Sequence, residues 1–154
     1  MSSRSASLPS SAIAGAGIDI VRLGIAAFAA VDLATGLFMA LAPHAFFKAI
    51  GPFDTFNPHY LRDVATFEGA FGIGLAIALY RPGWRVPMLA VSAAQYGLHS
   101  VNHLIDIDNT HPAWAGYADF VSLLAATITL LWLLRLASAE PSTPHSRFPR
   151  GGSQ

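Results

Sequence analysis

Four apolar runs, each about as long as a bilayer is thick, dominate this chain. They cover residues 18–41, 60–80, 84–105 and 114–136. A helix of roughly 20 residues rises 1.5 Å per residue and so crosses the roughly 30 Å of hydrocarbon in a typical bilayer. The runs therefore predict an all-α fold, in which four transmembrane helices form an integral membrane bundle.

The composition agrees with a membrane protein. Of the 154 residues, 53% are hydrophobic and 12% are charged, whereas soluble domains carry about 25% charged residues. Nine basic and nine acidic residues cancel, so nothing indicates a nucleic-acid partner. The chain has no cysteine, which excludes disulfides, thiolate metal sites and cysteine catalysis. We expect a multi-pass protein of the cell membrane whose main partner is the lipid bilayer.

Charges between the runs predict the topology. Arginines flank the first run, fill the turn after the second and follow the fourth, namely Arg4, Arg22, Arg81, Arg85, Arg135, Arg147 and Arg150. The connection after the third run has no Lys or Arg. By the positive-inside rule both termini are cytoplasmic. Lys48 and Arg62, between the first two runs, weaken this contrast without reversing it.

The segments outside the four runs have their own patterns. Residues 1–17 are rich in Ser, Ala and Gly and predict a flexible tail, and residues 137–154 predict a disordered one. A short amphipathic helix is expected over 45–50, at the membrane interface. The tight turn at 81–85 predicts that the second and third helices are antiparallel neighbours. Glycines at 69, 72 and 74 favour close helix approach.

The third run carries a polar stripe. Its members follow one another at steps of three and four, and they are Ser92, Gln95, His99, Asn102 and Asp106, with His103 beside them. That spacing places them on one helix face. Polar and ionisable groups inside a membrane are costly, so they face the bundle interior or a wet cavity. The stripe therefore points to a site.

Each of the four runs also contributes one ionisable group at a similar depth. Asp32, Glu68, His99 and Asp119 fall roughly 8 to 14 Å below the outer surface at 1.5 Å per residue. We interpret them as one polar cluster in the outer half of the membrane. The spacing of His99, His103 and Asp106 at i, i+4 and i+7 also presents two imidazoles and a carboxylate together. With Glu68, these are ligands that suit zinc, iron or copper.

Two segments resemble those of the small DoxX-like membrane proteins of bacteria. They are Leu61-Arg62-Asp63-Val64, which opens the second helix, and the His-rich stretch from Leu98 to Asp106. Some members of that broader group are similar to quinone-linked oxidoreductase subunits, so the resemblance implies an oxidoreductase role with a membrane-protein partner. A looser likeness is to four-span sterol-handling proteins with acidic residues in the bundle. No catalytic residue is carried over from either group.

Three functions fit these patterns, and whether the protein is an enzyme stays open. The first is a metal or redox site formed by Glu68, His99, His103 and Asp106, which predicts a co-purifying metal that is lost in His99→Ala. The second is a pocket for a small, lipid-like apolar molecule, in which Asp32, Glu68 or Asp119 acts as acid or base. The third is a non-catalytic accessory subunit, or a homo-oligomer, whose polar stripe faces another protein.

Overall fold

The computed structural model describes residues 19–52, 55–110, 112 and 114–139. Within these residues the chain forms five α-helices, which are α1 (Ile20–Leu41), α2 (Pro43–Ala49), α3 (Pro58–Tyr80), α4 (Arg85–Ile105) and α5 (Trp114–Ala139). A single 3₁₀ turn at Pro82–Trp84 joins α3 to α4. The predicted tail at 1–17 lies outside the described residues, as does the tail at 137–154 except for 137–139, which end α5.

Local capping explains where two of the long helices begin. The Asp19 carboxylate accepts a hydrogen bond from the backbone N–H of Arg22, at 3.0 Å, and so caps α1. The Asn57 side chain caps α3 in the same way, because it accepts from the backbone N–H groups of His59 and Tyr60. Pro58 follows as the first helical residue, where its missing N–H costs nothing.

The four predicted runs correspond to α1, α3, α4 and α5, and the short helix expected over 45–50 overlaps α2, which begins two residues earlier and ends one residue earlier. Three of the long helices, α1, α3 and α5, are both long and apolar enough to cross a membrane. The remaining one, α4, has 21 residues and therefore the length, but its polar stripe lowers its hydropathy. The fold is thus all-helical, with three candidate membrane spans.

The long helices associate as two pairs. The most extensive packing joins α1 to α3 and α4 to α5, and the two pairs meet over a smaller area. The predicted neighbours α3 and α4 do contact each other near their connecting turn, where Met88 occupies the space beside Gly74. Helices α1 and α3 approach closely at Gly72, which has no Cβ. A Cβ added there would lie 2.9 Å from the backbone nitrogen of Leu33.

The two ends of the bundle differ in how they are filled. At the end that we call the packed end, α1 and α4 begin and α3 and α5 finish. All four helices there bury aliphatic side chains in one cluster, which includes Ile25, Leu75, Leu89 and Leu130 at 0% exposure. At the opposite, open end, a smaller cluster of Met39, Phe46 and Ala65 fixes α2 onto the α1–α3 pair. The two pairs leave a cavity between them at that end.

Candidate functional site

The cavity at the open end has a volume of about 840 Å³ and opens to the molecular surface. Two of its lining side chains, Val31 and Tyr60, are more than half exposed at its rim. Side chains from all five helices line it. Its walls combine apolar groups with a limited set of polar groups, which is the usual character of a small-molecule site.

Asp32 lies at the inner limit of this cavity, where the packed end begins. It is completely buried, and its Oδ1 accepts a hydrogen bond of 2.5 Å from the hydroxyl of Tyr96. Its Oδ2 has no hydrogen-bond partner among the described residues. The Tyr96 ring lines the cavity and also makes an edge-to-face contact with Phe28, with ring centroids 5.7 Å apart. The α1 carboxyl group is therefore held by α4 through one hydrogen bond.

Glu68 of α3 lines the same cavity, half buried. It lies close enough to Asp32 for the two carboxylates to interact electrostatically. The close approach of α1 and α3 explains this proximity, because a Cβ added at Gly36 would lie 3.3 Å from the Cβ of Glu68. The carboxyl group of Glu68, which lines the cavity, thus has the buried carboxyl group of Asp32 beside it on the neighbouring helix.

A second set of polar side chains, two histidines on α4 and one aspartate on α5, lies where these two helices meet. The Nε2 atoms of His99 and His103 are 3.0 Å apart, at hydrogen-bond distance, and both rings line the cavity. Nδ1 of His103 lies 4.0 Å from Oδ2 of Asp119, which is too long for a hydrogen bond. That oxygen is buried without a hydrogen-bond partner in the part of the chain that the structure describes. His99 also interacts electrostatically with Asp119.

The structure places the predicted site residues around one cavity. Glu68, His99 and Asp119 line it, and Asp32 reaches it through Tyr96. Most of the polar stripe lines it too, namely Gln95, His99, Asn102, His103 and Asp106. The exception is Ser92, which is completely buried and is not among the lining residues. Most of the stripe therefore faces the cavity, and Asn102 is also exposed at the surface, whereas the accessory-subunit hypothesis expected the stripe to face lipid.

Sequence reasoning missed Tyr96, which connects Asp32 to the cavity. Its position was a usable signal, because Tyr96 lies four residues after Ser92 and three before His99 and so shares their helix face. An aromatic residue in an apolar run does not stand out as polar, although a buried Tyr hydroxyl usually needs a hydrogen-bond partner. That requirement is met here by Asp32.

The predicted metal ligands are not assembled into one group. Among the described residues, no set of three or more His, Asp or Glu side chains has the geometry to hold a metal ion. His99 and His103 meet, but Asp106 instead accepts a hydrogen bond from Asn109, at 3.0 Å. A metal at this place stays a prediction, and the metal content of the wild type and of His99→Ala is the measurement that tests it.

The fold and the cavity define an all-helical protein with three candidate membrane spans and an internal polar site. Comparisons with protein-family models, with curated proteins and with solved structures give no match to this chain. The DoxX-like resemblance is accordingly neither supported nor refuted, and the function has to be argued from the site itself.

Proposed function

We propose that this protein is an integral membrane protein in which α1, α3, α4 and α5 all cross the bilayer. For α4, support comes from the distribution of its side chains. Its polar stripe faces the cavity, while the rest of its surface exposes apolar side chains that include Val91, Leu98 and Val101. A helix with that distribution is compatible with lipid on its outer face.

We further propose that the packed end and both termini are cytoplasmic. Four arginines belong to or adjoin the packed end, namely Arg22, Arg81, Arg85 and Arg135, as the positive-inside rule requires. One of them, Arg85, lies 3.6 Å from Asp19 in an ion pair across the start of α1 and α4. The open end, with the cavity, then faces the outer side.

Because the chain has no cysteine, single introduced cysteines test this topology cleanly. We expect Asp108→Cys, at the open end, to react with a membrane-impermeant maleimide on intact cells. Gly83→Cys lies in the 3₁₀ turn, where an added Cβ meets nothing within 4 Å, and it should react only after the membrane is broken. The reverse labelling pattern would invert the proposed topology, and labelling of both on intact cells would contradict the four-span arrangement.

We propose that the cavity binds a small amphiphilic, lipid-like molecule. The observation that carries this proposal is a cavity of about 840 Å³ between the two helix pairs, within the range of roughly 300–1,000 Å³ typical of small-molecule pockets. Apolar side chains such as Val31, Leu61 and Phe47 would contact the apolar part of the ligand. The polar side chains of Glu68 and His99 would contact its head group.

The same site also has the acid and base groups that an isomerisation by proton transfer needs. We therefore propose, as a second possibility, that the protein isomerises the molecule it binds. Carboxyl groups and imidazoles are the side chains that most often transfer protons in enzymes. Asp32 and Glu68 are neighbours, and His99 and His103 are within hydrogen-bond distance of each other. A ligand in the cavity would therefore lie between two proton-exchanging pairs.

A variant that fills the cavity tests ligand binding. Ala126 lines the cavity on α5, whereas Ala125, its neighbour in sequence, is exposed and does not. We expect Ala126→Phe to weaken binding of phenylbutanol and phenylbutylamine to the protein in lipid nanodiscs at least about tenfold, equivalent to about 1.4 kcal/mol. Ala125→Phe adds the same ring to the outer surface and should bind as the wild type does.

Isothermal titration calorimetry, with empty nanodiscs subtracted, measures these affinities. If the wild type binds neither phenylbutanol nor phenylbutylamine, the proposal is overturned. Equal affinities in Ala126→Phe and Ala125→Phe would overturn it as well, because binding would then not depend on the free volume of the cavity.

A further inference from the structure

The cavity carries several acidic groups, and the basic side chains among its lining residues in the described parts of the chain are two histidines, His99 and His103. Its charged lining side chains are Glu68, Asp106 and Asp119, and Asp32 lies directly behind Tyr96. No Lys or Arg is among its lining residues in the described parts of the chain. The nearby Lys48 lines a separate recess of about 360 Å³ at the mouth, which shares Ile50 and Asp119 with the cavity. An anionic ligand would therefore meet like charge.

Two carboxylate oxygens at this site lack hydrogen-bond partners. Oδ2 of Asp119, which lines the cavity, and Oδ2 of Asp32 are both buried without one among the described residues. Buried polar groups normally have a hydrogen-bond partner, because leaving one unsatisfied is costly. Nδ1 of His103 lies 4.0 Å from Oδ2 of Asp119, which is too long for a hydrogen bond. Asp119 lines the cavity, so a hydrogen-bond donor on a bound ligand can supply the partner that its carboxylate oxygen lacks.

The cavity also presents aromatic rings. Five aromatic side chains line it, namely Phe28, Phe46, Phe47, Tyr60 and Tyr96. The face of an aromatic ring attracts a cation, and more strongly where water is excluded. Carboxylates together with aromatic rings, with no Lys or Arg among the described lining residues, form a surface that favours an organic cation over a neutral or anionic molecule of the same shape.

From these three observations we infer that the ligand of this cavity is a lipophilic amine, a protonated ammonium group on an apolar body. The inference rests on the proposed function and specifies its ligand class. The ammonium group lies among the carboxylates of Glu68 and Asp119 and the aromatic rings. The apolar body extends along Val31 and Leu61 toward the open side of the cavity.

Three probes with one carbon skeleton test the inference, namely phenylbutylamine, phenylbutanol and phenylbutanoate. Each is titrated into the wild-type protein in nanodiscs of zwitterionic lipid, with empty nanodiscs subtracted. We expect the amine to bind at least about tenfold more tightly than the alcohol, which is about 1.4 kcal/mol. The carboxylate should bind most weakly.

Glu68→Gln and Asp63→Asn form a matched pair of variants. Each replaces a carboxylate on α3 by an amide, but Asp63 lies at the surface beside His59 and does not line the cavity. Glu68→Gln should reduce the preference for the amine over the alcohol to less than about threefold, because the amine loses the charge that Glu68 supplies and the alcohol does not. Asp63→Asn should keep the wild-type preference.

The outcomes separate this inference from the proposed function. If the alcohol binds as tightly as the amine, or if Glu68→Gln keeps the full preference, the amine inference is wrong while the cavity remains a binding site. If none of the three probes binds the wild type, the proposed function itself fails. A tighter complex with phenylbutanoate would overturn the charge argument directly.

Discussion

The packed end and the open end of this bundle are made by the same four long helices, yet their side chains differ. At the packed end each helix contributes fully buried aliphatic groups, such as Ile25 on α1 and Leu130 on α5. At the open end the same helices contribute Asp32, Glu68, His99 and Asp119 around a cavity. The aliphatic cluster at the packed end holds the two helix pairs together. The pairs can therefore stand apart at the open end and leave room for the cavity.

The boundary between the two ends is the Tyr96–Asp32 hydrogen bond. On one side, Phe28 contacts Tyr96 and adjoins the aliphatic cluster. On the other side, Tyr96 lines the cavity together with Glu68 and His99. Close packing on the first side fixes the positions of α1 and α4, so that the polar groups on the second side need little packing of their own.

The largest expected effect comes from the same truncation made at each end. Leu75 is completely buried in the packed cluster, so Leu75→Ala should lower the free energy of unfolding by about 2–5 kcal/mol. Leu123 already borders the cavity and is only half buried. Leu123→Ala should therefore cost less than about 1 kcal/mol, since it opens little new void and loses fewer contacts.

Unfolding in mixed micelles, followed by circular dichroism as the fraction of dodecyl sulfate rises, measures both variants. Equal losses at the two leucines would contradict the division of the bundle into a packed end and an open end. A loss at Leu123 larger than at Leu75 would indicate that the cavity region, rather than the aliphatic cluster, holds the pairs together.

The helices were predictable from the sequence, but their pairing was not. The limits of the four apolar runs differ by at most three residues from the observed limits of α1, α3, α4 and α5. However, α1 and α5 are apolar on almost every face, so their sequences carry no narrow stripe that identifies a partner. The tight turn at 81–85 indicated α3 and α4 as neighbours, whereas the larger contacts join α1 to α3 and α4 to α5.

The candidate site was partly predictable for a related reason. The period of the stripe on α4 and the shared depth of Asp32, Glu68, His99 and Asp119 indicated a common layer, and the structure arranges these residues around one cavity. The bond from Tyr96 to Asp32 depends on how α4 is rotated toward α1, which spacing along one helix does not determine. The hydrogen bond that Asp106 accepts from Asn109 likewise depends on where α4 ends, at Ile105, which the spacing of the stripe does not determine.

The smallest expected effect concerns how closely α1 and α3 approach beside the site, and a pair of glycines tests it. A Cβ at Gly36 would lie 3.0 Å from both the carbonyl oxygen of Ala65 and the backbone nitrogen of Gly69. These backbone atoms move only if the helices separate, so Gly36→Ala should cost about 1–3 kcal/mol. A Cβ at Gly69 meets nothing within 4 Å, and Gly69→Ala should be neutral or stabilise by less than about 1 kcal/mol.

The same glycine pair also connects helix packing to the site, because the Gly36 Cβ position lies 3.3 Å from Glu68 Cβ. Separation of α1 from α3 would move Glu68 relative to Asp32, and Gly36→Ala should therefore weaken phenylbutylamine binding by about threefold, while Gly69→Ala leaves it unchanged. Unfolding in mixed micelles and calorimetry on the same preparations give both quantities. If Gly36→Ala matches Gly69→Ala in stability and in affinity, then the close α1–α3 approach does not set the geometry of the cavity. The open end would in that case depend on the packed end alone.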